Sequence, residues 1–401
     1  MEMKDQERVS RIQASLKEAG LDAFILFHPD NILLATGMLP GCTHVIAIVT
    51  QEGKVLVVTP WWRESFVHQE SWADEVWTFD WCKPFSGVEP ISALQDRLRL
   101  AARNLRLEKV GFDAKMHHYS PNKLASEFFT YDEIKDALPK LFASAVDATD
   151  LLNRLKSLKT PREIAKLRLA NQVAGAGVLA FYAHARAGIR ETELAAEVNY
   201  AILKKAGHGG IRYTYCDPPQ IASGKERTLI ADTMSNHATE RVLQAGDPVL
   251  LEFGVQADGY WADITRTLVV GGPSDRHVAM HEAILAAQQN AIAAYRPGKS
   301  TGNDLCAAAW DAMKERGFES GITHFLGHGL GFAYHEDRPF LGMGEKVAVK
   351  PGNVTSIEPG LYWHVKDEFL GGMRIEENVV WGDRDGEAEI LSDFWRGLGT
   401  P

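Results

Sequence analysis

The sequence lacks any disulfide or zinc framework: its four cysteines, Cys42, Cys82, Cys216 and Cys306, lie far apart and form no Cys-x-x-Cys pair. They read as reduced thiols of a cytoplasmic protein. Long apolar runs are missing as well. The opening stretch MEMKDQERVSRIQASLKEAG is charged throughout, with no apolar segment of signal-peptide length, and no later segment approaches a membrane span. The expectation is a cytoplasmic protein that does not engage a membrane. Positive charge is in deficit, since 43 Lys and Arg stand against 53 Asp and Glu for a formal charge of −10. Nucleic acid or an anionic lipid surface would require clustered cations, so a small molecule or peptide fits better as partner. Short-period repeats and low-complexity tracts are absent too.

What is present is a globular composition, 45% hydrophobic and 24% charged, on a chain of 401 residues that is too long for one ordinary core. Two domains are expected. The first segment reads as an amphipathic helix with Val9, Ile12, Leu16 and Ala19 on one stripe and Gly20 as its stop. Apolar runs at DAFILF, THVIAIVT, KVLVVTP and EKVGFD, with a helical pattern around residues 90–106, suggest an α/β unit. The texture changes near residue 155, where SLKTPREIAKL places Thr160 as N-cap, Pro161 at the first helical position and Glu163 in the capping box. The predicted boundaries are 1–154 and 155–401.

The stretch LLEFGVQADGYWADITRT predicts a hairpin turning at Asp258-Gly259. Asp263 then faces Gly254, with Glu252 as its diagonal neighbour roughly 7 Å away on the same face. Leu250, Leu251, Phe253, Val255, Tyr260, Ile264 and Leu268 make the strands too apolar for a surface ribbon, so both acids should be buried and need partners. Three further stretches offer them. HFLGHGLGFAYHEDRP carries His324, His328 and His335 among glycines, and VTSIEPGLYW puts Glu358 at the end of an apolar strand. GGMRIEENVVWG reads as one strand with Arg374 and Glu376 on one face and Glu377 on the other.

Taken in order, these segments resemble the creatinase, prolidase and aminopeptidase P superfamily. The resemblance rests on the two acids eleven positions apart that each fall in the family's pattern, the Gly-His-Gly around His328, Glu358 before Pro-Gly and Glu376 after Arg-Ile. It covers the chain from about residue 155, with the N-terminal half similar in size and order of elements. It implies an α/β N-terminal domain, an α+β C-terminal pita-bread domain, a homodimer and a hydrolase of C–N bonds, first of all an Xaa-Pro dipeptidase or aminopeptidase P-like peptidase. The implied cofactor is a pair of divalent ions, with Asp263 and Glu376 bridging, His328 and Glu358 completing one site and Glu252 the other. One imidazole among carboxylates suits Mn²⁺, with Co²⁺, Zn²⁺ or Fe²⁺ as alternatives. By the same resemblance Glu358 and His335 are catalytic, His324 and Arg374 hold substrate, and Tyr213 lies in the substrate-pocket stretch.

Two positions depart from the family pattern. The peptidases have Asp where this chain has Glu252, which puts the second metal position in question. His237 in ADTMSNHATER stands about two places later than the upstream catalytic histidine of the relatives; it either fills that role from a shifted loop or is a surface residue. Two alternatives therefore remain open: a metal-free, creatinase-like or ectoine-hydrolase-like enzyme acting on an amidine or amide, and a non-catalytic binding protein on the same fold. The tryptophan-rich stretch with Trp61, Trp62, Trp72, Trp77 and Trp81 reads as core or interface, or, at Trp61 and Trp62, as a cap over a partner subunit's active site.

Overall fold

The computed structural model describes residues 4–40, 44–81, 87, 89–115, 130–205, 207–208, 214–216, 218–231 and 237–399. Tyr213, expected in the substrate pocket, lies outside them. The chain packs as two compact units, Met1–Lys156 and Ser157–Pro401.

The first unit is α/β. Its mixed sheet runs in the order β4-β3-β2-β1-β5-β6, formed by β1 (Ala23–Leu26), β2 (Ile46–Thr50), β3 (Val55–Pro60), β4 (Glu75–Phe79), β5 (Lys109–Phe112) and β6 (Ser144–Asp147). Around it lie α1 (Gln6–Ala19), α2 (Pro29–Thr36), α3 (Glu64–Glu70), α4 (Pro90–Asn104), α5 (Thr130–Leu141) and α6 (Thr149–Ser157). In α1 the predicted stripe buries Val9, Ile12 and Leu16, but Ala19 is exposed. The turn at Gly20, closed by Leu21 N donating to Leu16 O at 2.9 Å, brings Leu21 into the core in its place. Trp72 is buried, whereas Trp61 and Trp62 are 42% and 44% exposed.

The second unit is α+β. Helix α7 (Pro161–His184) starts at the predicted capping box of Thr160 and Glu163 with Pro161 in its first turn. It packs with α8 (Glu191–Lys205) against a sheet of β7 (Thr214–Cys216), β8 (Gln220–Ser223), β9 (Pro248–Ala257) and β10 (Tyr260–Val269). The short α9 (Lys225–Leu229) follows β8. A second apolar core unites α10 (Asp275–Ala294) and α11 (Gly302–Glu315) with the remaining strands. These are β11 (Gly327–Gly329), β12 (Glu336–Leu341), β13 (Val354–Ile357), β16 (Glu377–Trp381) and β17 (Ala388–Ile390) in one sheet, and β14 (Gly360–Val365) with β15 (Glu368–Arg374) in another.

The hairpin register is the predicted one: Asp263 faces Gly254 and Thr265 faces Glu252, with positive φ at Asp258 (50°) and Gly259 (90°) in the turn. Gly254 must be glycine, because a Cβ there would stand 2.4 Å from Tyr334 Cε2. The single strand expected across GGMRIEENVVWG is instead two. β15 ends at Arg374 and β16 begins at Glu377, in different sheets. Between them Glu376 N donates to Thr265 O at 3.1 Å, so β10 captures the backbone and turns the chain from one sheet to the other. Asn378 strengthens that junction by accepting from Asp263 N and donating to Asp263 O. The strands carrying the acids therefore converge on one small volume.

Candidate metal centre

The acids come from four different backbone segments, with Glu252, Asp263 and Glu376 buried and Glu358 partly so. Asp263 comes from β10, Glu252 from β9, Glu358 from the exit of β13, and Glu376 from the break before β16. His328 is the middle residue of β11, and its backbone N donates to Ser356 Oγ, which in turn donates to Glu358 Oε1 at 3.1 Å. His335 stands just before β12 and stacks on His328 with ring centroids 3.6 Å apart. Tyr334 also stacks on His335, with ring centroids 4.9 Å apart.

Two groups of ligand atoms result, each with all members within 4.8 Å of one another: Asp263, His328 and His335, and His328, Glu358 and Glu376. His328 Nε2 lies 3.3 Å from Glu358 Oε1 and 3.5 Å from Asp263 Oδ2, and His335 Nε2 lies 3.6 Å from the same Asp263 oxygen. His335, expected as a catalytic residue and not as a ligand, thus reaches a ligand atom.

Glu252, expected as a ligand, and Arg374, expected to hold substrate, are paired with each other. Glu252 belongs to neither group, because the extra methylene carries its carboxylate onto Arg374 Nη2. Arg374 is not a free guanidinium aimed at a substrate. Nη1 donates to Tyr362 at 2.7 Å and Nε to Thr265 Oγ1 at 3.2 Å, while Thr265 donates to Glu376 Oε2 at 2.9 Å. Tyr362 relays the arginine's order to His324 Nε2 at 3.3 Å, and His324 Nδ1 donates to Phe325 O. Sequence reading missed Thr265, Tyr362 and Tyr334. Thr265 had a signal, its place two residues after Asp263 on the same strand face; the tyrosines had none. His237 is exposed, and its carbonyl accepts from Arg227 Nη2 at 2.9 Å.

Burial of so many charges is frustrated. Burial drives Glu376 well above the usual carboxylate range, with Asp263 and Glu358 adding to it. Burial likewise lifts Glu252 to about 7, with Arg374 opposing and Asp263 and Glu358 assisting. Asp263 goes the other way, to about 2, because His328 and His335 outweigh the effect of burial. Glu358 is also lowered, burial being overcome by His328. His328 rises well above its ordinary value, since Asp263 and Glu358 outweigh burial, and His335 falls through burial and the proximity of His328. The four carboxylates are thus split, with Glu376 and Glu252 raised and Asp263 and Glu358 lowered.

The donor set fits a divalent cation by an independent observation. Three of its buried atoms, His328 Nε2, Asp263 Oδ1 and Glu376 Oε1, find no hydrogen-bond partner among the described residues. Buried polar atoms are rarely left so. The opposite nitrogen, His328 Nδ1, donates to Gly329 O at 2.9 Å, an outer contact that leaves Nε2 bare in the neutral ring, as ligation requires.

Comparison with known proteins gives the same picture. A model of metallopeptidase family M24 matches residues 165–383, and one of the creatinase/prolidase N-terminal domain matches residues 8–157. A putative dipeptidase of Bacillus subtilis is 29% identical over 375 residues, 93% of this chain and 94% of its own length. An Xaa-Pro dipeptidase of Pyrococcus furiosus is 35% identical over 231 residues, 58% of this chain and 62% of that protein. Among solved structures, an Xaa-Pro dipeptidase from Bacillus anthracis superposes with a TM-score of 0.78 at 24% identity, covering 99% of both chains. An X-Pro aminopeptidase from Thermotoga maritima gives 0.76 at 25% identity, covering 96% of this chain and 99% of its own. The two units are thus an α/β N-terminal domain and a pita-bread domain.

Proposed function

This chain belongs to metallopeptidase family M24 of the creatinase, prolidase and aminopeptidase P superfamily, and on that premise we propose that it is an Xaa-Pro dipeptidase using a pair of divalent ions, Mn²⁺ first among them. That it is a hydrolase of this family follows from the membership; the substrate, the ion and the residue roles are the proposal. The observation that carries it is the trio of buried ligand atoms without hydrogen-bond partners on His328, Asp263 and Glu376.

His328, Asp263, Glu358 and Glu376 would hold the better-formed position, and Glu252 completes the second once it is drawn from Arg374. The chemistry that ions held there would supply is Lewis acidity toward the scissile carbonyl and the attacking water. Glu358, ionised and oriented by Ser356, accepts a proton from that water and delivers it to the departing proline nitrogen, so that the C–N bond breaks with charge balanced. His335 donates toward the carbonyl oxygen from a ring held between His328 and Tyr334. Arg374, held by Tyr362 and Thr265, orients Glu376 through Thr265 and, through Tyr362, the ring of His324 against the substrate.

Elemental analysis of the purified protein, paired with proline release from Xaa-Pro dipeptides, tests the reading. Two equivalents of a transition ion and proline release are expected. No metal after supplementation, with turnover of an amidine-type small molecule instead, would overturn it in favour of the metal-free, creatinase-like chemistry.

A further inference from the structure

The inward face of α10 is Met280, Ala283, Ile284, Ala287, Gln288 and Ala291, and Gln288 is its one amide, only 4% exposed. A glutamine in an apolar stripe is costly unless its amide is satisfied. Here Nε2 donates to two backbone carbonyls at once, Ile357 O at 3.2 Å and Ile375 O at 2.9 Å. Two carbonyl acceptors can be served only by the NH₂ end, so the amide orientation is determined.

Those carbonyls belong to the residues directly before Glu358 and Glu376, the two carboxylates grouped with His328. Ile357 ends β13, where it pairs with Glu377, but Ile375 lies in the break between β15 and β16. The second apolar core, which includes Ile357, Ile375 and Val379, packs at this junction but leaves one gap. A cavity of about 270 Å³ opens there, lined among others by Gln288, Ile357, Glu377, Ile292 and Ile390. One side-chain amide therefore joins the two ligand-bearing segments beside that cavity.

We propose that Gln288 is a positioning residue of the metal centre: by holding the Ile357 and Ile375 carbonyls on one nitrogen, it sets the separation of Glu358 and Glu376 and so the affinity for the ion they share with His328. The inference rests on the metallopeptidase reading of that site. Its hydrogen bonds touch neither the ion nor the substrate, so its loss should appear in metal binding and kcat and leave KM for the peptide unchanged. Removal of outer contacts of this kind commonly weakens metal binding by about 10–100-fold.

The test is calorimetric titration of the full-length wild type, Gln288→Met and Gln288→Asn with Mn²⁺, together with melting temperatures with and without chelator. Methionine keeps the volume without a donor, and asparagine keeps the amide but withdraws it by one methylene, which guards against either variant failing to fold. The expected result is a Kd for Mn²⁺ raised tenfold or more and a smaller metal-dependent rise in Tm. Variants that bind Mn²⁺ as tightly as wild type while melting lower in chelator would assign Gln288 to the core alone and overturn the inference. A wild type that binds no Mn²⁺ overturns the metallopeptidase reading and this inference with it.

Discussion

Lys159 and Glu336 form an ion pair with side chains 0% and 5% exposed and Nζ 2.6 Å from Oε2. The other Glu336 oxygen accepts from Phe332 N at 2.8 Å, so the pair pins the loop that presents Tyr334 and His335. Lys159→Met retains the stem and deletes the charge, leaving the carboxylate buried with its partner gone. Removing one member of such a pair costs about 3–5 kcal/mol. In a unit of this size that lowers Tm by roughly 10 °C. The double variant Lys159→Met/Glu336→Gln should recover about half or more of the loss, because an uncharged amide is cheaper to bury than a lone carboxylate. Urea unfolding followed by circular dichroism, on chelator-treated protein so that metal linkage does not contribute, measures both. A single-variant loss under about 1 kcal/mol, or a double variant as unstable as the sum of the singles, refutes the reasoning.

His328→Ala should remove the response of Tm to metal: wild type at a hundredfold excess of Mn²⁺ over Kd gains about 2.7 kcal/mol and loses it to chelator, while the variant ignores both. An active wild type whose Tm is indifferent to metal sinks the two-ion mechanism. Glu252→Asp withdraws the carboxylate from Arg374 and should lower the Kd for the second ion; an unchanged Kd counts against Glu252 as a ligand. His281 is held below its ordinary value, chiefly by burial and despite its bond to Arg396 O. The native state therefore binds fewer protons than the unfolded one; the stability this group contributes is complete above about pH 6.5 and is lost as pH falls through the lowered folded value. His281→Gln should flatten the pH dependence of unfolding free energy between pH 7 and 5, and an unaltered slope would contradict that assignment.

Local features were the legible ones. The Thr160–Glu163 capping box and the Asp258-Gly259 hairpin depend on residues a few positions apart, and alternation within the hairpin fixed which side Glu252 and Asp263 would share. The grip of Arg374 on Glu252 joins residues 122 positions apart, and nothing in either segment announces the other. The break after Arg374 was illegible for a related reason. Period-two alternation runs from Met373 to Glu376, and the contacts that divert the backbone there, with Thr265 O, Arg266 and Gln288, come from distant segments. Gln288 did carry a signal, an amide on an apolar helical face, but its meaning depends on which carbonyls lie opposite.

The consecutive glutamates at the head of β16 make the molecule's genetics deceptive. Glu376 turns toward His328, while Glu377 turns away to Arg266 Nη2 at 3.0 Å, with Ser392 on its other oxygen. The same codon change, Glu to Gln, made one position apart should produce two different phenotypes. At 376 a cell would accumulate normal amounts of an inactive protein, which drains resources silently. At 377 the surviving molecules would remain competent, but Arg266, 0% exposed in its side chain, would lose its counter-charge, and quality control would deplete the pool. Growth at low temperature should rescue the second allele and leave the first unchanged, so that a classification by adjacency in the gene would group two lesions that have nothing in common in the cell.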